Sequence, residues 1–265
     1  MQDNSNDDNK VTLSTLRQMK ATQQPIAALT AYDACFARII DQAGADLVLV
    51  GDSLGMVIQA HSTTAKVTMD DMIYHCRCVS PSLSRAYFVA DMPFASYSSV
   101  AAGVDNAKLL IAEGGAQMVK LEIISPTTIN VIRALTEHAI PVCAHIGFCP
   151  QTIPDLPSPD TFHRPKVVDE VVLQQANDCI DANVDLLLVE CAAEHVGEQI
   201  KTMSQTPVIG IGSGSDYDGQ IMVMHDVLGI SDHSPKFAVN FLATENSISA
   251  AFSAYVKAVK SRTFP

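Results

Sequence analysis

Long apolar runs are missing from this chain: despite 48% apolar content, no stretch reaches the roughly 18 uninterrupted apolar residues of a membrane span. Basic residues are also scarce, with 17 Lys+Arg against 29 Asp+Glu and a formal charge of −12. Nucleic-acid binding needs basic patches, so that partner class is set aside. An acidic protein that takes an anionic substrate must gather positive charge locally, through a metal or a placed lysine. A disulfide framework is lacking too: the seven cysteines are odd in number and fit reduced thiols. Cys76 and Cys78 point to different faces of a predicted helix. Cys143 and His145 share a strand face but have no further soft ligands beside them, so neither pair supports zinc. The first ten residues, MQDNSNDDNK, carry none of the basic or apolar regions of a secretory signal. A disordered tail over 1–10 and a cytoplasmic location are expected.

Against these absences stands one recurrent feature. Four short apolar runs stop at an acid: LVLVGDS at Asp52, YFVADMP at Asp91, QMVKLE at Glu122 and LLLVE at Glu190. The intervals are 39, 31 and 68 residues, the last close to twice one repeat. Each run is too short for a helix and rich in Val and Leu, as a buried parallel strand is.

Strand candidates fall at 25–31, 46–51, 86–91, 117–122, 140–146, 185–190 and 206–211. Helical patterns lie between most of them: 34–42 with Asp33 as N-cap, 69–80 with Asp70 and Asp71 in its first turn, 99–113, 126–138 and 167–182. Alternating strands and helices imply parallel strands, and this rhythm favours a (β/α)8 TIM barrel, a single domain over 11–265. Residues 11–20 are predicted to form an N-terminal helix that covers the barrel bottom. The eighth strand is placed at Lys236 to Leu242. Residues 151–166, QTIPDLPSPDTFHRPK, carry four prolines and read as a long irregular connection of the kind that forms lids.

A barrel keeps its active site at the C-terminal strand ends. Asp52, Asp91, Lys120, Glu122, His145, Glu190 and the glycines of GIGSG (Gly210, Gly212, Gly214) all fall there. The plain alternative is that acids after strands only cap the next helices. Glu122 and Glu190, however, belong to the apolar runs themselves, where a carboxylate must be desolvated, paired or metal-bound. Asp52, Asp91 and Glu122 offer hard oxygen ligands suited to Mg²⁺. Lys120 alternates with Glu122 on one face, either to meet a substrate oxyanion or to bridge the acids. Burial at Glu190 favours the neutral carboxyl, the tuning expected of a general base. GIGSG could cradle an anion or only turn the chain.

These residues also carry a likeness. GDSLGM (51–56) with VTMDDMIYH (67–75) and DGQIMVMHDVLGI (218–230) resembles the ketopantoate hydroxymethyltransferases. So do ALTAYD (28–33), ADMPF (90–94), MVKLE (118–122), PVCAHIGFCPQ (141–151), VIGIGSG (208–214) and PKFAVNF (235–241). The resemblance runs from about residue 12 to the C-terminus. It implies a (β/α)8 barrel in a homo-oligomer, often a decamer. The reaction it implies joins a one-carbon unit from 5,10-methylenetetrahydrofolate to 3-methyl-2-oxobutanoate through a Mg-stabilised enolate, giving 2-dehydropantoate for pantothenate and coenzyme A synthesis. By motif, Asp52 and Asp91 match Mg²⁺ ligands, with Glu122 an added or water-mediated one. Asp52, Ser53, Asp91 and Lys120 match keto-acid contacts, and Glu190 matches the proton acceptor.

Three stretches depart from the family's pattern. The glycine-rich loop expected after Pro150-Gln151 is replaced by the proline-rich stretch, KLEGG becomes KLEIIS (120–125), and QGHDST becomes QAHSTT (59–64). Two other readings stand beside the transferase. One is a Mg-dependent lyase or mutase of the phosphoenolpyruvate mutase and isocitrate lyase group, although no KKCGH-type loop is present. The other is a catalytically weakened paralogue with a structural or regulatory role, motivated by the altered loops. His61 and His145 are open between substrate contact and structural histidine.

Overall fold

The computed structural model describes residues 9–152, 168–232 and 234–264. The expected tail over residues 1–10, apart from Asn9 and Lys10, and most of the proline-rich connection lie outside the described residues. Eight parallel strands close into a barrel in sequence order. They are β1 (Ile26–Thr30), β2 (Leu47–Val50), β3 (Tyr87–Asp91), β4 (Met118–Glu122), β5 (Val142–Gly147), β6 (Leu186–Glu190), β7 (Val208–Ile211) and β8 (Gly219–Met222). The helices are α1 (Leu13–Ala21), α2 (Ala34–Gln42), α3 (Leu54–Val57), α4 (Met69–Val79), α5 (Val100–Ala112) and α6 (Pro126–Glu137). They continue with α7 (Asp169–Asp181), α8 (Glu194–Met203), α9 (Met224–Val227) and α10 (Ile248–Lys260).

Side chains alternate across every strand, so the core has two layers. One face packs under the helices: Leu29, Val48, Val50, Val119, Leu121, Leu187 and Val189 join α-helical residues such as Ile40, Met72 and Leu110. The other face fills the tube with Ile26, Leu47, Leu49, Tyr87, Val89, Met118, Leu186, Leu188 and Ile209. Burial on both faces is why these strands read as unbroken apolar runs.

The predicted bottom helix is α1. Its start is closed by a capping box between Thr12 and Thr15, which satisfies backbone donors that a helix end otherwise leaves open. Leu16 and Met19 point into the interior cluster, and each such burial stabilises by about 1.5–3 kcal/mol. Charge then fastens the helix to the lower strand ends. Arg17 donates to Asp185 at 2.7 Å, just before β6, and Lys20 donates to Asp218 at 2.6 Å, just before β8. A second clasp joins α2 to β3: Asp41 accepts from the Ser84 hydroxyl at 2.6 Å and from the backbone N–H of Ala86 at 2.7 Å. Burial alone would raise the Asp41 carboxyl, but the hydrogen bonds from Ser84, Ala86 and Arg85 hold it below its ordinary range.

The eighth strand is not where the sequence pattern places it. Residues 236–240 form a turn and an irregular stretch that lead into a short 3₁₀ turn at Phe241–Ala243, and β8 is Gly219–Met222 instead. The cause is the β7–β8 connection, which holds no helix. Residues 212–218 run back along the barrel directly; at about 3.3 Å per extended residue they can span strands this short. Tyr217 occupies the space a helix would fill. Its ring lies where a Cβ on Gly210 would be 2.7 Å away and one on Gly197 of α8 2.3 Å away. Closure itself needs Gly219, because a Cβ there would sit 2.3 Å from the Ile26 carbonyl of β1.

Candidate active site

The upper interior positions of four neighbouring strands carry ionisable groups that follow the apolar alternation. Asp91 continues the Tyr87–Val89 face of β3, and Lys120 and Glu122 continue Met118 on β4. His145 follows Cys143 on β5, and Glu190 follows Leu186 and Leu188 on β6. Strand register sets them side by side: Asp91 pairs with Lys120 and Glu122 with His145. Asp52 follows β2 and donates its backbone N–H to Asp91 Oδ2 at 3.1 Å. Asp52, Asp91, Lys120, Glu122, His145 and Glu190 are all buried. None of the four acids caps a helix; those N-cap positions belong to Ser53, Ser99, Ser125 and Ala193.

Lys120 takes the bridging role among the acids, with Nζ 2.5 Å from Asp91 Oδ1. Glu122 Oε1 lies 3.4 Å from His145 Nδ1, and Glu190 Oε2 lies 3.3 Å from His145 Nε2. The imidazole thus stands between two carboxylates. These are ion-pair distances without hydrogen-bond geometry, since neither ring nitrogen makes a hydrogen bond. Ser53, partly buried, shares a 2.8 Å hydrogen bond with the Tyr32 hydroxyl.

The electrostatics follow from four acids facing one lysine and one histidine. Burial pushes the Asp91 carboxyl up to about 7; Lys120 opposes the shift, while Asp52 and Glu122 reinforce it. Burial raises Glu122 as well, against the pull of His145. Burial would lower Lys120, but the charges of Asp91, Asp52 and Glu122 outweigh it and hold the ammonium charged. For His145, burial and Lys120 favour the neutral ring, yet its contacts with Glu122 and Glu190 carry it up to about 9. Negative charge here exceeds what the side chains neutralise, and a bound cation is the ordinary remedy.

The donor chemistry fits a hard divalent cation. Among the described residues, however, no three His, Cys, Asp or Glu side chains converge as a ready-made metal cage. Mg²⁺ does not require one, since it is usually held by one or two carboxylates plus water and substrate oxygens. Asp52 and Asp91, linked through the Asp52 backbone, supply such a pair, with Glu122 one strand farther on.

Two residues in this site carry no signal in the sequence pattern. Gln151, in the 3₁₀ turn Pro150–Thr152 after β5, donates from its side chain to Asp52 Oδ2 at 2.8 Å and to the Met92 carbonyl at 3.0 Å. Its backbone N–H reaches Glu122 Oε2 at 2.9 Å. Tyr97, in the loop after β3, donates its hydroxyl to Gln151 Oε1. Of the GIGSG glycines, Gly210 admits Tyr217, and Gly212, at φ +61°, leaves room for Phe237. Both therefore serve close packing. His61 is half-buried and its backbone N–H bonds the Gly55 carbonyl. At the altered KLEIIS stretch, Ile123 is buried in the outer core and its carbonyl accepts from Gln175 at 3.1 Å.

The family model described as ketopantoate hydroxymethyltransferase matches residues 10–265. The chain belongs to the ketopantoate hydroxymethyltransferase family. A 3-methyl-2-oxobutanoate hydroxymethyltransferase of Marinobacter nauticus is 45% identical over 256 residues, covering 96% of each chain. One of Halorhodospira halophila is 46% identical over 255 residues, covering 96% of this chain and 92% of that one. Among solved structures, a phosphonopyruvate hydrolase gives a TM-score of 0.64 at 12% identity, covering 96% of this chain and 99% of that one. A 2,3-dimethylmalate lyase, a PEP mutase/isocitrate lyase superfamily member, gives 0.59 at 15% identity, covering 79% and 80%. At such identities the likeness shows the fold alone: this chain shares its kind of barrel with the hydrolase and the lyase.

Proposed function

We propose that this chain transfers a hydroxymethyl group from 5,10-methylenetetrahydrofolate to 3-methyl-2-oxobutanoate, giving 2-dehydropantoate. The observation that carries the reading is the 45% identity with the Marinobacter nauticus enzyme across 96% of both chains, on a chain whose strand-end acids gather in one buried mouth. Neither the lyase or mutase reading nor a purely structural role draws on a specific observation of its own.

The proposed roles follow from position. Asp52 and Asp91 would hold Mg²⁺, with Glu122 linked directly or through water. Bound there, the ion would supply Lewis-acid polarisation of the keto oxygen. Ser53 and Lys120 complete the keto-acid contacts with Asp52 and Asp91, and the Lys120 ammonium brings positive charge to an anionic substrate. Glu190 accepts the C3 proton of the keto acid, the neighbouring His145 steadying the carboxylate it contacts at 3.3 Å. The carbon so freed forms its bond to the folate-borne methylene and water provides the hydroxyl, while both carbon–nitrogen bonds of that methylene break and tetrahydrofolate leaves with the C3 proton and one proton from water on its nitrogens. We propose also that residues 11–265 work as one barrel domain in a cytoplasmic homo-oligomer, a decamer by family resemblance.

Purified protein with Mg²⁺, 3-methyl-2-oxobutanoate and 5,10-methylenetetrahydrofolate should form 2-dehydropantoate. Absence of product would sink the transferase reading. Exchange of the C3 proton without product would instead locate the fault on the folate side.

A further inference from the structure

Gln151 stands at a crossing point that no role above uses. Its side chain is buried at 2% exposure, and every polar atom of it is engaged. Asp52 Oδ2 and the Met92 carbonyl are both acceptors, so the amide must turn its NH₂ toward them and its Oε1 away. Tyr97 then meets Oε1 with its hydroxyl proton. That hydroxyl also lies 3.5 Å from the backbone carbonyl of Glu122. The backbone N–H of Gln151 takes Glu122 Oε2. One residue therefore grips a carboxylate oxygen on each of two strand ends, 99 and 29 positions away in the chain.

The Tyr97 end of this chain is itself anchored. Ser96 donates its hydroxyl to the Pro93 carbonyl at 2.7 Å, and Asn106 of α5 donates to the Ser96 carbonyl at 2.7 Å. Ala95 is held at φ +66°, a backbone conformation kept only where its surroundings enforce it. The brace is thus built on fixed elements at both ends: β5 with its following turn, and the loop tied to α5.

We propose that Gln151, locked by Tyr97, is the positioning residue that orients Asp52 for the divalent cation. The inference rests on the metal-assisted reading above. Asp52 directs Oδ2 to the Gln151 amide, which restrains the carboxylate and leaves its other oxygen for the cation. A carboxylate without this donor loses a charge-assisted hydrogen bond and gains rotational freedom. Groups that orient metal ligands this way typically change metal affinity or activity by about 10- to 100-fold when removed.

The test uses Mn²⁺ alone as the probe, with bound and free ion separated by electron paramagnetic resonance. Gln151→Leu keeps the backbone N–H to Glu122 and removes the side-chain donor to Asp52 and the Met92 carbonyl together with the acceptor that Tyr97 meets. Its affinity for Mn²⁺ should fall by about 10-fold or more, and Tyr97→Phe should weaken binding in the same direction by less. C3 proton exchange in both variants should be poor at low Mg²⁺ and recover at saturating Mg²⁺, a pattern that a merely structural role would not produce. A folded Gln151→Leu protein that binds Mn²⁺ like the wild type would overturn the proposal, as would exchange equally impaired at every Mg²⁺ concentration. Should Gln151→Leu fail to fold, unaltered Mn²⁺ affinity in Tyr97→Phe would overturn it equally. If the wild-type protein binds no Mn²⁺, the metal-assisted reading itself falls, an outcome distinct from a brace that does not matter.

Discussion

Glu190 and His145 meet inside the mouth of the barrel, with Oε2 of the acid 3.3 Å from Nε2 of the ring. The same ring faces Glu122 with its other nitrogen. The proposed base therefore has a partner that restrains its orientation and balances part of its charge.

Replacing Glu190 by Gln keeps the shape of that contact and removes the proton acceptor. The variant should lose C3 proton exchange by about a hundred- to ten-thousand-fold while still binding 3-methyl-2-oxobutanoate when Mg²⁺ is present. Proton nuclear magnetic resonance in deuterated water reads the exchange, and calorimetry reads the binding. Exchange at the wild-type rate would remove Glu190 from its assigned role.

Asp91 gives the site a pH signature. Its carboxyl moves from an ordinary 3.8 to about 7 on folding, chiefly through burial, so the folded state prefers the protonated acid. The stability this contributes is present below 3.8 and is lost as pH rises through about 7. In metal-free protein, the melting temperature of the wild type relative to Asp91→Asn should therefore decline from about pH 4 to pH 7. A constant difference across that window contradicts the shift. Adding Mg²⁺ should flatten the decline, because a cation stabilises the ionised form.

Gly219 tests the closure of the barrel. A Cβ there would come within 2.3 Å of the Ile26 carbonyl, so Gly219→Ala must push β1 and β8 apart. A loss of about 1–3 kcal/mol in urea unfolding is expected. Unchanged stability would mean that this seam accommodates a methyl group without cost.

Asp41 gives the opposite pH sign. Its carboxyl is held below 3.8 by Ser84, Ala86 and Arg85, so its stabilisation is present above that value and is lost as pH falls through the lowered one. Asp41→Ala should cost about 1–3 kcal/mol at neutral pH, with the deficit shrinking in acid. Denaturant melts in both conditions decide it.

Much of the barrel is legible from apolar runs because β2, β3, β4 and β6 are covered on both faces and must be hydrophobic throughout. β8 escapes that logic. Its four residues, GQIM, include a glycine needed for close approach and a glutamine, and the connection before it holds no helix. A reading that allows each parallel crossover a helix steps over it to the next apolar stretch, KFAVNFL at 236–242. The strand-end acids are visible because a charge that ends a buried run violates the pattern around it. Gln151 and Tyr97 violate nothing locally. Their meaning lies in partners such as Asp52, 99 positions from Gln151, and contacts of that range leave no periodic trace.

α1 fills the lower end of the tube with Leu16 and Met19, so the barrel is a well with one doorway. The acids lie just beneath the rim. With strand side chains packing the tube above it, whatever reaches the acids must enter and leave by the same upper mouth. A helix that contributes no reacting group thus helps decide from which side the site is reached.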